Sequence, residues 1–230
     1  MKNSIVKQIN MRILLLLVLV ACNNKSSGTN KTEKENLIIT QPQNKIIPKI
    51  FSGRYGEMSI AIDSNNNLTG VYEYYDVWDD KFKEYTQICK LYFSGHYSEN
   101  QNYIDIKAYW PGTKQKLIGK IKIIQDSISK IGMFLNDAPN CYADVDFTKE
   151  NTYSRKLDDK KNWIQVRLIK SDKAKFYNSP DISKIRKGYI VKSDIVKVIS
   201  KKEGWLQIEY NPPNDNTKST KAWIREEDVW

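Results

Sequence analysis

The stretch Arg54-Tyr55-Gly56-Glu57-Met58-Ser59-Ile60-Ala61-Ile62-Asp63-Ser64-Asn65-Asn66-Asn67-Leu68-Thr69-Gly70-Val71-Tyr72-Glu73-Tyr74-Tyr75 decides the fold. Met58, Ile60 and Ile62 alternate with small or polar residues, which puts them on one face of an extended strand. Asp63 to Asn67 then supplies short side chains that bond their own backbone and turn the chain, and Leu68 to Tyr75 returns it. The same pattern continues downstream. A second turn is expected over Asp76 to Asp80, followed by a long strand from Phe82 to Phe93 on which Cys89, Leu91 and Phe93 share a side. Tyr103 to Trp110 aligns Ile104, Ile106, Ala108 and Trp110 before a Pro111-Gly112 turn, and Leu117 to Ile124 and Ile128 to Leu135 make a further pair. No stretch holds a long helical period. Six strands joined in order by tight turns predict an all-β, antiparallel meander over residues 49–150, either a small up-and-down barrel or a curved sheet.

Composition bounds the chemistry. The 230 residues, 40% apolar and 28% charged, suffice for one or two cores. One His and three Cys leave too few ligands for the usual His and Cys zinc sites. Any Ser-His-Asp or Cys-His arrangement would have to pass through His96, in a segment, Ser94 to Ser98, that reads as a loop. A solvated turn histidine is the plainer reading. We therefore expect no catalysis, no metal and no cofactor.

At the amino terminus Lys2, Lys7 and Arg12 precede the apolar run Ile13 to Val20, which ends in Leu19-Val20-Ala21-Cys22. This is the layout of an export signal, too short for a bilayer-spanning helix of about 20 residues. The tetrad resembles the lipobox of bacterial lipoproteins. That resemblance implies a signal peptide over residues 1–21, cleavage after Ala21, diacylglyceryl attachment at Cys22 and palmitate-type acylation of the new amino terminus. Two or three such chains, at ~0.8 kcal/mol per buried methylene, hold a protein on a membrane practically permanently. The implied location is the cell envelope, lipid-anchored, with Asn23 after the cysteine favouring the outer membrane facing the periplasm. Loss of residues 1–21 removes three cations and lowers the formal charge from +10 to +7. An exported protein does not meet chromosomal DNA, so no nucleic-acid partner is expected, and its basic surface points to anionic lipid, acidic glycan or wall polymer. Cys89 and Cys141 are then an even pair in an oxidising space. A disulfide between them would stabilise by roughly 4 kcal/mol, two buried free thiols being the alternative. Residues 22–48, largely polar with an apolar cluster at Leu37 to Ile39, read as a flexible tether.

The remainder, residues 151–230, presents Ala174 to Pro180, Arg186-Lys187-Gly188-Tyr189, Asp194 to Ile199, Gly204-Trp205-Leu206-Gln207-Ile208 and Lys221-Ala222-Trp223-Ile224 in that order. This spacing resembles the bacterial SH3-like domain. The resemblance implies a compact five-stranded barrel with an aromatic groove for short peptides or the stem peptides of peptidoglycan. Phe176, Tyr177, Trp205 and Trp223 are the candidate groove residues, with pure core packing as the competing role. Two departures bear on the groove: Phe176-Tyr177-Asn178 stands where the family has Asn-x-Arg, and Ala222 replaces the usual Gly. Asn211 to Ser219 reads as an enlarged hairpin loop.

Charge separates the halves. Residues 50–150 carry eleven basic and fourteen acidic side chains, a balance of −3, and residues 151–230 carry eighteen and eleven, a balance of +7. The acidic side is concentrated where Asp76, Asp79 and Asp80 stand among Tyr74, Trp78 and other aromatics. These five are candidate partner-docking residues, against a plain charged hairpin tip and a catalytic carboxylate pair. The expectation is a lipid-anchored envelope binding protein whose SH3-like part contacts peptidoglycan or a wall-associated protein. The alternative is an inhibitor or immunity lipoprotein that blocks a hydrolase or toxin. Oligomeric state is not legible.

Overall fold

The computed structural model describes residues 49–230 apart from 112, 114, 125–128 and 214–217. The expected signal peptide, Cys22 and tether lie outside the described residues, as do Gly112, Ile128 and Asn214-Asp215. The described chain is all-β, two short 3-10 turns being its only helical elements.

Seven strands follow the chain as an antiparallel meander: β1 (Gly53–Tyr55), β2 (Met58–Ile62), β3 (Asn67–Asp79), β4 (Glu84–His96), β5 (Tyr103–Tyr109), β6 (Lys116–Ile123) and β7 (Lys130–Leu135). Alternation explains the curl. Leu91 and Phe93, Ile104 and Ile106, and Leu117 and Ile121 all turn into one core. The expected first strand is two, broken at Gly56, whose φ of +61° suits glycine. A Cβ there would also meet the Arg155 side chain at 2.9 Å. The sheet forms a half-barrel.

Two further strands correct the expected boundary at residue 150. β8 (Ser154–Lys156) pairs with β7, and β9 (Asp159–Lys160) pairs with β1 at the opposite margin. Only Leu157 and Asp158 separate them. Their amides donate to Ser129 O and Arg54 O, each at 2.8 Å, so one strap touches both margins of the half-barrel. The first sheet therefore runs to residue 160. These pieces are too short and too polar to announce themselves, since their partners lie far away in sequence.

The first core is aromatic. Tyr55, Tyr72, Phe93, Phe147 and Tyr153 are fully buried. Phe147 and Tyr153 arrive from the segment after β7 and meet Tyr72 edge-on at 4.9 and 5.7 Å. The Tyr153 hydroxyl donates to Tyr55 O at 2.9 Å, so its burial leaves no orphan. Cys141 lies in the same segment, at disulfide distance from Cys89 with 5.0 Å between their Cα atoms.

The second sheet comprises β10 (Gln165–Leu168), β11 (Ala174–Tyr177), β12 (Ile185–Ile190), β13 (Ile195–Lys202), β14 (Trp205–Tyr210) and β15 (Thr220–Arg225). Its order is β10-β13-β14-β15-β11-β12. A 3-10 turn over Glu226–Asp228 leads to Val229, which bridges back to Ile169. The two sheets are not beads on a string: they belong to one compact unit. Ala61 and Val71 of the first sheet form a common apolar cluster with Trp163, Val166, Leu168 and Ile195. Val166 N donates to Thr69 Oγ1 at 2.8 Å across this junction.

Candidate functional site

β3 and β4 outrun their neighbours. The β2–β3 pairing stops at Met58 with Tyr72, and β5 pairs with β4 only over Tyr92 to Gly95. Beyond those points, among the described residues, Tyr74 to Asp79 and Glu84 to Leu91 pair as strands only with each other, which makes a two-stranded arm. A lone hairpin is marginal in water, so something must hold it. Tyr75 and Tyr85 meet at 5.4 Å and Trp78 stands edge-on to Tyr85 at 5.0 Å. At the root, Cys89 is the register partner of Tyr74 and lies at disulfide distance from Cys141.

The turn expected over Asp76 to Asp80 is strand as far as Asp79, and the reversal falls at residues 80–83. Each aspartate has a local task. Asp76 Oδ1 accepts from Val77 N at 2.8 Å, and Asp79 Oδ1 accepts from Lys81 N at 2.8 Å and Phe82 N at 3.0 Å, closing the tip. Asp80 accepts from Trp78 Nε1 at 3.2 Å and pairs with Lys83 at 3.3 Å. Val77 has φ +54°, rare for a β-branched residue, and Thr86 Oγ1 donates to its carbonyl at 3.0 Å.

The structure thus sets Asp76, Trp78, Asp79 and Asp80 along one arm. Tyr74 sits lower, stacked with Tyr72 at 6.5 Å and near Tyr142 at 6.1 Å, where desolvation and then Asp76 and Asp144 push its hydroxyl pKa up. Val77 and Phe82 join the arm as its most exposed apolar side chains, at 51% and 63%. The sequence reading passed over both, because a Val or Phe within an alternating run is ordinarily a core residue.

The second aromatic set is differently placed. Phe176 and Tyr177 are buried, while Trp205 and Trp223 are half-buried. Tyr177 stands edge-on to Trp205 at 4.8 Å and opposite Trp223 in register, so the set clusters but gives half its rings to the core. His96 is the exposed last residue of β4, opposite Asn67, and not in a loop. Among the described residues no group of three or more His, Cys, Asp or Glu could hold a metal ion, and no helix is long and apolar enough to cross a membrane.

Between the sheets lies a polar cleft of about 460 Å³ walled by Tyr75, Trp163, Lys197 and Glu209 among others. Several of its polar groups are bonded to one another. Lys197 Nζ is 3.6 Å from Glu73 Oε2, the Tyr75 hydroxyl donates to Glu73 Oε1 at 3.0 Å, and Trp163 Nε1 donates to Glu209 Oε2 at 3.2 Å. Burial first, then the Glu73 charge, raises the Tyr75 pKa.

Compared with family models, with curated proteins and with solved structures, the chain has no match in any of the three.

Proposed function

We propose that the chain is a lipid-anchored, envelope-facing binding protein that docks a cationic protein of that compartment with its β3–β4 arm. The observation that carries this reading is the exposure of Val77, Trp78 and Phe82 together, among Asp76, Asp79, Asp80 and Glu84. Apolar and aromatic anchors supply most of the energy of such contacts, and the surrounding carboxylates select partners of opposite charge and speed encounter. Blocking an envelope hydrolase or toxin fits the same geometry, because a protruding arm reaches into a concave site. The anchor rests on the lipobox at Cys22.

The test uses a basic muramidase as probe. Wild-type chain should bind it in a salt-sensitive manner, and Asp76→Lys, Asp79→Lys and Asp80→Lys together should abolish binding. Unchanged binding removes the arm from the reading. Cys22→Ser, followed by membrane fractionation, tests the anchor separately: retention on the membrane would overturn it.

A second reading, contact with peptidoglycan through an SH3-like second half, rests on the sequence resemblance carried by Ala174 to Ile224. β10 is followed by the β11–β12 hairpin, three successive strands, a 3-10 turn and the return of Val229 to Ile169. Sedimentation of the full chain with purified peptidoglycan tests it, and failure to co-sediment counts against it.

A further inference from the structure

Residues 50–150 are acidic in sum, yet one face of their sheet is basic. β5 and β6 pair from Tyr103 with Lys122 to Tyr109 with Lys116 without a register shift, and no residue of either strand has a positive φ. The alternation is therefore regular. Ile104, Ile106 and Ala108 of β5 and Leu117 and Ile121 of β6 enter the core. That sends Lys107, Lys116, Lys120 and Lys122 to the outer face of the half-barrel with one acid, Asp105. Asp105 stands 3.8 Å from Lys120 with both side chains well exposed, so the pair neutralises little. Between the lysines Ile118 is 61% exposed and Tyr103 38%.

Arg167 of β10 stands at one end of this face. Val71, Tyr92 and Tyr109 are successive register partners, so the two tyrosines share the outer face, their rings 5.2 Å apart, and both pack on the cluster of Val166 and Leu168. Burial pushes the pKa of both hydroxyls up, and the charge of Arg167 acts against that rise. Arg167 is half-buried, and its Nε is sealed from solvent without a hydrogen-bond partner. Among the described residues no ion pair joins its guanidinium to a carboxylate. A half-buried cation without an anion is costly, and a guanidinium fork fits a carboxylate in two parallel bonds. At the other end Tyr103, Lys122 and Gly132 are successive register partners. A hollow of about 380 Å³ opens there, walled by Tyr103, Lys120, Lys122, Glu150 and Asn151 among others. Lys120 Nζ and Lys122 Nζ stand 5.6 and 5.8 Å from the Tyr103 ring centre. Cations, an aromatic ring, and carboxylate and amide acceptors within one hollow suit a sugar acid, whose carboxylate, ring face and hydroxyls they match in turn.

We propose that the outer face of β5 and β6, closed at one end by Arg167, binds a linear anionic glycan whose sugars carry carboxylates. Tyr103 and Tyr109 are six residues apart on β5, roughly 20 Å, so the occupant is elongated. One carboxylate takes the Arg167 fork beside the Tyr92 and Tyr109 hydroxyls, another lies between Lys120 and Lys122, and Lys107 and Lys116 hold the stretch between. β5 and β6 are interior strands with a neighbour on each side, so an incoming peptide finds no sheet edge here. A flat bilayer touches a convex wall along its crest and does not reach Arg167 at the sheet junction. The site depends neither on the acidic arm nor on the SH3-like reading.

The experiment uses the full chain in neutral detergent and a labelled oligogalacturonate, a linear polyuronate, read by fluorescence anisotropy. The expected result is saturable binding that weakens as added salt shortens the screening length from about 10 Å to about 3 Å. The methyl-esterified oligomer, which keeps the rings and loses the charges, should not bind. Lys107→Glu with Lys116→Glu should weaken binding about tenfold or more, with circular dichroism unchanged because both side chains are exposed. Arg167→Gln alone should do the same, and if that variant fails to fold, Arg167→Lys, which keeps the charge and loses the fork, takes its place. Lys173→Glu with Lys187→Glu makes an equal change of net charge on the second sheet and should leave binding intact. Failure of the polyuronate to bind, indifference to the Lys107 and Lys116 variant or to the Arg167 variant, or an equal loss in the Lys173 and Lys187 variant overturns the proposal. So does equally tight binding of a poly-glutamate peptide or of phosphatidylglycerol vesicles, which would show a surface that answers to negative charge alone.

Discussion

Lys197 and Glu73 meet at 3.6 Å across the junction of the two sheets, with the lysine side chain 7% exposed and the glutamate 22%. A pair so placed is costly to break and contributes little when intact, because each partner compensates the other's desolvation. Lys197→Met alone should destabilise by about 3 kcal/mol, leaving a carboxylate without its cation, whereas Lys197→Met with Glu73→Leu should recover most of that loss. Chemical denaturation of the single and double variants checks this. Additive losses would show that the two side chains do not act as a pair.

The disulfide predicts a second measurement. Cys89 and Cys141 are 52 residues apart, so a bond between them would restrict a long loop of the unfolded chain. Cys89→Ala with Cys141→Ala should lower stability by roughly 4 kcal/mol in the chain-entropy model. Melting with and without reductant gives the same comparison in the unmutated chain.

Alkali should unfold the protein over a defined window. Burial pushes the hydroxyls of Tyr55 and Tyr92 from 10.0 up to about 12, and those of Tyr72, Tyr75 and Tyr153 also upward. The folded state then holds protons that the unfolded state has released, so stability falls as pH rises from 10 towards 12 and is intact below 10. Tyrosinate absorbance and circular dichroism should change together there. Smooth titration of all tyrosines before any loss of structure would contradict it.

Val77 offers a test of stored strain. Its φ of +54° is one a β-branched residue adopts at a cost of order 1–3 kcal/mol. Val77→Gly should therefore hold or raise the unfolding free energy, although glycine within a strand ordinarily lowers it by ~0.5–1 kcal/mol relative to alanine. A drop of that ordinary size would mean the position is not strained.

Much of the first sheet is legible because alternation at Cys89, Leu91 and Phe93, or at Ile104, Ile106 and Ala108, admits one facing only. The arm is misread for a physical reason. Asp76, Asp79 and Asp80 have the composition of a turn, yet Asp76 bonds the amide next to it within the strand and only Asp79 closes the reversal. Phe176 and Tyr177 carry the chemistry of a groove, but nothing local tells that both are buried while Phe82 and Val77 are not. The sheet junction was equally hidden. Thr69 meeting Val166, or Trp163 meeting Glu209, depends on partners 97 and 46 residues away, and no periodicity records such a meeting.

The strap at residues 154–160 has a practical corollary for anyone wishing to cut the gene. Because the same few peptide units seal both rims of the half-barrel, a fragment ending at residue 150 would be a bowl with two raw seams, prone to stick to its own kind. Chimaeras that exchange one half of the chain should be spliced at residues 161–162, downstream of that clasp.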